Sequence, residues 1–300
     1  MLKCQITEPR DNFAVLRSVS DLLQAIKKWR SRVKVAERGS QSHVWFRGQP
    51  KCSYRLAPGI FRDEFEEVVF HLYGKNIKRD VKAGADGGLG PVVTVSETSL
   101  VKLCLSEERK MLREFYTSGA TLLDTRDDIS VYFAAQHYGM PTRLLDWSTN
   151  PLIALFFAIS KNGSEDGKLY VMQPTRLPPP LAQSGDPEQN ILSVRDSAVR
   201  NAIRTSFEKD CPELESPLIL HIRPDSQAGR IRQQSSCFTL HSHLVGPRHN
   251  PTLEWFRIPA KCKKRLREEL CRLDVNEFSI FNDLDHLSNE IRRKWGLLAR

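Results

Sequence analysis

The chain lacks an apolar run that is long enough to cross a membrane. Its longest apolar stretch, residues 152–159, is far shorter than the roughly 18–20 residues that a bilayer-spanning helix needs. The N-terminal residues also lack the apolar segment of a secretory signal. With 300 residues and a hydrophobic fraction of 40%, the sequence instead predicts a globular protein that stays in the cytoplasm and has no membrane partner.

Cysteine pairs with the spacing of metal or redox sites are absent too. The seven cysteines are scattered, odd in number and without a CxxC pair. We therefore expect most of them to be buried, reduced thiols that pack as small apolar side chains. His241 and His243 would place two imidazoles on one face of a strand, but two ligands alone do not complete a zinc site. The sequence predicts no metal site.

Several signatures of nucleotide-binding and hydrolytic enzymes are missing as well. The chain contains no Walker A loop, no GxGxxG fingerprint and no GxSxG nucleophile elbow. Glycines are frequent at residues 84–90, but their spacing is not that of a phosphate-binding loop. Residues 82–97 are therefore predicted to form a mobile loop.

Positive charge is in excess, with a formal net charge of +9. Such a surplus attracts nucleic acid, anionic nucleotides or acidic partners. The basic residues fall into three clusters on predicted helices, at residues 27–34, 261–267 and 292–294. Glutamates interrupt or adjoin the later two clusters, so solvated helix faces are the simpler interpretation. Nucleic-acid binding through these clusters stays an alternative.

The order of the predicted elements favours an α+β domain with a mostly antiparallel sheet. Helices dominate the first half and strands the second. An N-terminal arm and helix at residues 1–35 is expected to precede one domain at residues 36–295. Within that domain, the proline-rich residues 174–217 are expected to form a surface excursion with one helix. Short strands are predicted at residues 44–49, 143–147, 168–172, 218–222, 236–242 and 254–258.

A cluster of polar residues lies where one predicted strand ends and a helix begins. Gly139 and Pro141 end the preceding helix, because glycine tolerates the left-handed cap and proline cannot continue the helix. Asn150 and Pro151 start the next helix, as an N-cap followed by the first helical position. Residues 146–149 therefore lie at a strand-to-helix corner, which is a place suited to binding an anion or a nucleotide.

Arg47 lies in a short strand between aromatic residues. Alternation places Trp45 and Arg47 on one face of the strand, and Phe46 and Gly48 on the other. An unpaired charge would be costly if it were buried there, so Arg47 needs a carboxylate or a phosphate. Asp146 is the natural internal partner. A buried ion pair that only stabilises the core and an anion-binding role for Arg47 stay open as alternatives.

The order of these motifs resembles that of the FRG domain family. The family is named for a Phe-Arg-Gly triplet, which is present here as residues 46–48. Further motifs of the resemblance follow at residues 54–59, 107–109, 136–151 and 229–238, so that it covers roughly residues 43–291. Because the family is mostly bacterial and phage-associated, the resemblance implies an effector in bacterial or phage defence.

A weaker similarity connects the same motifs with the ADP-ribosyltransferase fold. A strand bearing Arg47, a strand ending at Ser148 before a helix, and a late strand near Gln234 occur in that order. The similarity implies an NAD-consuming or ADP-ribosyl-transferring enzyme, in which Arg47 binds NAD and Ser148 braces the ribose-binding strand. Gln234 stands where a glutamate is expected and carries no negative charge. Glu254, at the head of the next predicted strand, is the candidate for the carboxylate that Gln234 does not supply.

The candidate site follows from these interpretations. His137, at a helix end, is either a general acid–base or a structural imidazole, and Trp45 or Trp147 would stack on a base. NAD fits the transferase interpretation, but no cofactor is firmly implied. The alternatives are a non-catalytic nucleotide- or nucleic-acid-binding module and an interaction scaffold; the oligomeric state is not predicted. The candidate catalytic residues are Arg47, His137, Ser148 and Gln234, and the candidate binding residues are Arg47, Trp45, Arg143, Asp146, Trp147 and Thr149.

Overall fold

The computed structural model describes residues 14–33, 44–73, 80–81, 93–94, 97–123, 127–160, 164–174, 191–207, 219–224, 234–241, 250 and 252–297. Some of the predictions fall on the other residues and lie outside this range. They concern residues 1–13, the glycines at 84–90, residues 175–190 and 208–217 of the expected excursion, residues 229–233 of the last motif, and His243.

Strands form one seven-stranded sheet and a separate two-stranded ribbon. In chain order they are β1 (Trp45–Gln49), β2 (Asp80–Val81), β3 (Val93–Thr94), β4 (Leu144–Ser148), β5 (Gly167–Met172), β6 (Leu192–Ser193), β7 (Ile219–Arg223), β8 (Ser236–His241) and β9 (Glu254–Ile258). The large sheet has the order β6-β7-β8-β4-β1-β5-β9, and β2 pairs with β3. Of the pairs in the large sheet, that between β6 and β7 is parallel and the others are antiparallel.

Helices pack against the sheet and confirm the predicted α+β class. They are α1 (Val19–Val33), α2 (Asp63–Tyr73), α3 (Glu97–Ser118), α4 (Asp128–His137), α5 (Pro151–Ile159), α6 (Ser197–Arg204), α7 (Lys263–Arg272), α8 (Glu277–Phe281) and α9 (Leu284–Lys294), with 3₁₀ turns at Gly59–Phe61 and Ala260–Cys262. Within the described residues, no helix has the length and apolarity to span a membrane.

The predicted loop contains regular structure, and the predicted excursion contains a strand besides the one helix that was expected in it. Strand β3 and the start of α3 lie within the predicted loop at residues 82–97. Within the predicted excursion, β6 joins the large sheet, and α6 buries Val199 and Ile203 completely. Apolar residues at helical spacing along α6 explain this burial, because they give the helix one face that packs against the sheet.

Two groups of helices cover the same face of the sheet. One core cluster joins α1, α5, α7 and α8 to β1, β5 and β9, and the other joins α3, α4 and α6 to β7 and β8. The register pairs Phe46 with Ser148 and Asp146 with Phe238, so these residues point to the face that both helix groups cover. The groove between the two groups therefore lies over the middle strands, β4 and β1.

The opposite face of the sheet has its own aromatic core. Trp45, Trp147 and Trp255 are buried there together with Tyr170. His221 and His241 are also buried, and their desolvation lowers the pKa of His221 to about 4 and that of His241 to about 3. Both imidazoles are therefore neutral core groups at neutral pH.

Helix α5 packs unusually close to the sheet because two glycines lie beneath it. A Cβ atom at Gly48 would lie 1.9 Å from the carbonyl oxygen of Ala154, and one at Gly167 would lie 2.5 Å from that of Ala158. The helix starts at the predicted corner, where Asn150 accepts a hydrogen bond of 2.9 Å from the backbone N–H of Leu152. The glycine of the Phe-Arg-Gly triplet is thus required by helix packing.

We expect the Gly48→Ala substitution to lower the free energy of unfolding by about 3 kcal/mol or more, because the methyl group would overlap the backbone of α5. Chemical denaturation of the wild type and the variant measures the difference. Gly139→Asn is the control, since no atom lies near a Cβ at that left-handed position and asparagine tolerates the conformation. A Gly48→Ala variant as stable as the control would contradict the packing argument.

Candidate functional site

The sheet opens between its two central strands. Strand β1 shares one registered pair with β4, Phe46 with Ser148, whereas it pairs with β5 over five residues. If the pairing with β4 continued, Gly48 would face Asp146. Instead, Nη1 of Arg47 donates a hydrogen bond of 2.6 Å to the backbone oxygen of Asp146. The guanidinium therefore occupies the opening and binds a carbonyl that the sheet leaves unpaired.

The charge of Arg47 is poorly compensated. Its side chain is only 13% exposed, and its Nε is buried without a hydrogen-bond partner among the described residues. Its Nη1 lies 3.7 Å from the carboxylate of Asp146. Burial lowers the pKa of Arg47 to about 10; the carboxylate of Asp146 opposes this change, and the nearby charge of Arg62 adds to it. The guanidinium is still charged at neutral pH.

Asp146 is held from the other side by a glutamine. Nε2 of Gln136 donates a hydrogen bond of 2.9 Å to Oδ2 of Asp146, and Oε1 of Gln136 accepts one of 2.5 Å from the hydroxyl of Thr142. Thr142 is fully buried, and its hydroxyl also accepts from the backbone N–H of Leu144. The threonine thus fixes the amide so that its N–H₂ group faces the carboxylate. Because the side chain of Asp146 is 51% exposed, it remains accessible to a ligand.

A cavity of about 320 Å³ lies in the groove above these residues. Its polar wall carries Arg47, Gln136, Asp146 and Gln234, and His137 lies exposed at its edge. Its apolar wall comes from one face of α5 and from the end of α8, through Ile153, Ala154, Phe157 and Phe281. One cavity therefore combines a cation, a carboxylate and aromatic surface.

The strand-to-helix corner braces this cavity through hydrogen bonds. The hydroxyl of Ser148 donates to the backbone oxygen of Gln234 at 2.8 Å and accepts from the N–H of Asn150 at 3.1 Å. The backbone N–H of Thr149 donates to the oxygen of Ser235, which has a left-handed φ of 47°. These contacts connect β4 with the turn before β8 and bring Gln234 to the cavity wall.

Both candidate stacking residues have their rings in the core. Trp45 is fully buried on the opposite face of the sheet. Trp147 borders the cavity, but its ring is buried in the same core, and its indole N–H donates a hydrogen bond of 3.0 Å to Thr239. The structure therefore does not offer either indole to a ligand. Besides Trp147, the aromatic residues that line the cavity are Phe46, Phe157 and Phe281.

Arg143 forms a buried ion pair away from the cavity. Its Nε lies 2.9 Å from the carboxylate of Glu108, and the two side chains are 4% and 1% exposed. Glu108 also accepts hydrogen bonds from Tyr132 and Ser206, and the carboxylate raises the pKa of Arg143 against the effect of burial. Arg143 is paired within the core and does not line the cavity, in contrast to its prediction as a binding residue.

Glu254 is also remote from the cavity. It begins the edge strand β9 and forms an ion pair of 2.5 Å with Arg32. The carboxylate that lines the cavity is Asp146. Neither Phe281, which lines the cavity, nor Arg62, whose charge lies near Arg47, was predicted from the sequence. Arg62 lies just after the motif at residues 54–59, so its place in the sequence could have indicated it. No motif in the sequence indicated Phe281.

Comparison with known proteins identifies one family. The sequence model described as FRG domain matches residues 42–167, so this part of the chain is similar to that family. No curated protein and no solved structure matches the chain. The predicted FRG resemblance is thus confirmed over β1–β4 and α2–α5, whereas the weaker similarity to ADP-ribosyltransferases finds no support in these comparisons.

We expect Arg143→Met to lower the free energy of unfolding by about 3–5 kcal/mol, because it leaves the Glu108 carboxylate buried without its cation. The matched change Arg47→Met should cost about 1 kcal/mol or less, since solvent reaches its partner Asp146. Urea denaturation of both variants measures the two values. Equal losses would show that Arg47 is a core residue of the same kind as Arg143.

Proposed function

We propose that the cavity between the two helix groups binds a nucleotide, with a phosphate group at Arg47 and an aromatic ring on the apolar wall. The observation that carries this proposal is the poorly compensated guanidinium of Arg47. It lies in an opening of the sheet, largely removed from water, and its nearest carboxylate is half exposed.

A phosphate group suits this environment physically. A guanidinium presents several N–H donors in a fixed plane, which matches the oxygens of a phosphate. The hydrogen bond to the oxygen of Asp146 uses Nη1 and fixes the orientation of the group. A charge-assisted hydrogen bond is stronger in a partly desolvated cavity than in water. An incoming phosphate would therefore compensate the charge that Asp146 compensates incompletely.

The apolar wall suits the ring of a base. Ile153 and Phe157 are one helical turn apart on α5, and Phe281 contacts the ring of Phe157 edge to face at 6.1 Å. A flat ring gains both apolar burial and aromatic contacts on such a surface. A volume of about 320 Å³ is at the lower end of the range for small-molecule sites.

The basic cluster of α7 gives less support to nucleic-acid binding. Lys263 is buried, and its ammonium group donates to the backbone oxygen of Pro50 at 2.7 Å. Arg267 caps the carbonyl oxygen of Ile159, and Arg265 pairs with Glu269. These side chains stabilise the fold, so part of the positive charge is not available to a polyanion.

We expect adenosine 5′-monophosphate to bind the wild type, and Arg47→Gln to weaken that binding by tenfold or more. The substitution removes a charge-assisted contact that contributes about 2 kcal/mol to the binding free energy, and a loss of this size weakens the affinity by more than tenfold. Isothermal titration calorimetry measures the affinities. Arg204→Gln, which removes an exposed arginine from the end of α6, is the control for net charge. A wild type that binds no nucleotide, or an Arg47→Gln variant that binds equally well, would refute the proposal.

A second candidate function is cleavage of NAD. The observation that favours it is the half-exposed carboxylate of Asp146 on the cavity wall. A carboxylate next to the ribose would stabilise the positive charge that develops as the bond to nicotinamide breaks. Water would attack the anomeric carbon, nicotinamide would leave as a neutral molecule, and the proton of the water would pass to a base. His137 lies on the cavity wall and is the group for that proton.

We expect the wild type to release nicotinamide from NAD, and Asp146→Asn to lower the rate by roughly a hundredfold, because the developing charge loses its counter-ion. Chromatography of the released nicotinamide follows the reaction. Glu254→Gln, at the remote sheet edge, should retain the wild-type rate. No release by the wild type would leave the cavity as a binding site and reject this second function.

A further inference from the structure

A second cavity adjoins the first on the other side of Arg47. It has a volume of about 270 Å³ and shares Arg47, Gly48 and Pro50 with the first cavity. Its other walls come from the segment after β1 and from the start of α2. This part of the wall includes two further arginines, Arg55 and Arg62.

Arg62 is held in place by a rigid support. It follows the 3₁₀ turn Gly59–Phe61, in which Ile60 and Phe61 are buried. The turn lies directly on the loop before β4, because a Cβ atom at Gly59 would be 2.9 Å from Cα of Pro141. Nε of Arg62 donates a hydrogen bond of 3.3 Å to the oxygen of Ala57. The side chain is thus anchored at Nε, while its Nη groups extend from a fixed base.

The two additional arginines differ in how their charges are compensated. Arg55 lies 2.5 Å from the carboxylate of Asp63 and 3.4 Å from that of Glu66, so its charge is already paired. Arg62 is exposed and forms no ion pair with any described residue. Glu64 also lines the cavity and is exposed to water. Arg62 is therefore the second cation that an anion can reach from the position at Arg47.

Arg47 and Arg62 repel each other across this small cavity, and the charge of Arg62 adds to the lowering of the pKa of Arg47 that burial causes. An anion placed between them would remove this repulsion and satisfy N–H donors on both guanidinium groups. A single phosphate at Arg47 leaves Arg62 without a partner. A second phosphate attached to the first would reach it, because both arginines line the same cavity.

We infer that Arg62 forms a second phosphate subsite next to Arg47, so that the ligand class is a nucleoside diphosphate or another nucleotide with a pyrophosphate group. This inference rests on the proposed nucleotide binding at Arg47. It adds a residue that makes no other ion pair within the described structure, and it assigns that residue to a particular group of the ligand.

Calorimetric titration with adenosine 5′-monophosphate and adenosine 5′-diphosphate tests the inference. We expect the wild type to bind the diphosphate roughly tenfold more tightly, since the second phosphate gains a charge-assisted contact. Arg62→Gln should remove this preference and leave the affinity for the monophosphate within about threefold of the wild type. Arg47→Gln should weaken both, and Arg204→Gln should change neither. Unchanged melting temperatures exclude misfolding, and Arg62→Lys should restore part of the preference.

Different outcomes separate this inference from the proposal on which it rests. Equal affinities of the wild type for the two nucleotides, or an equal loss of both in Arg62→Gln, would overturn the second subsite and leave the first intact. No binding of either nucleotide would overturn both. Tighter binding of a single-stranded oligonucleotide than of the diphosphate, with the same dependence on Arg62, would overturn the ligand class in favour of nucleic acid.

Discussion

The close contact between α5 and the sheet is the constraint on which the site depends. Gly48 and Gly167 leave no space between the strands and the helix, so α5 lies directly against β1 and β5. This contact fixes the helix that forms the apolar wall of the cavity. It also explains the composition of the triplet: Phe46 fills the core beside α5, Gly48 admits the helix, and Arg47 extends into the opening between β1 and β4. The packing of α5 therefore fixes the strand that carries Arg47.

Two arginine–carboxylate pairs in this protein show how the surroundings decide the role of a charge. Arg143 and Glu108 are almost inaccessible and lie 2.9 Å apart, and both make further hydrogen bonds in the core, so the pair belongs to the fold. Arg47 and Asp146 have the same chemistry, but their charged groups are 3.7 Å apart and the carboxylate is half exposed. An anionic ligand cannot improve the compensation of a charge that is already fully paired. It can improve the compensation of an incompletely paired cation next to a cavity.

Local signals allowed the sequence to predict the strand-to-helix corner and the α+β class. Helix stops and caps act within a few residues, so Gly139, Pro141 and Asn150 indicated the correct element borders. The face that each strand turns to the helices is a non-local property. For this reason Trp147 and Arg143 were assigned to the cavity, although packing of distant segments places both in the core. Glu108 was not recognised as the partner of Arg143 because 35 residues separate them along the chain.

The parts of the site come from different regions of the chain. Arg47, Arg62, Gln136 and Asp146 lie within the matched FRG range of residues 42–167, and so does α5. Gln234 and Phe281 lie beyond it, and Nε2 of Gln234 contacts the backbone oxygen of Ile280 at 3.4 Å, which joins these two later segments at the cavity wall. The charged half of the cavity therefore lies within the matched range, and part of the aromatic wall lies beyond it. Contacts across the boundary, from Ser148 to Gln234 and between the rings of Phe157 and Phe281, hold these later segments against the matched range.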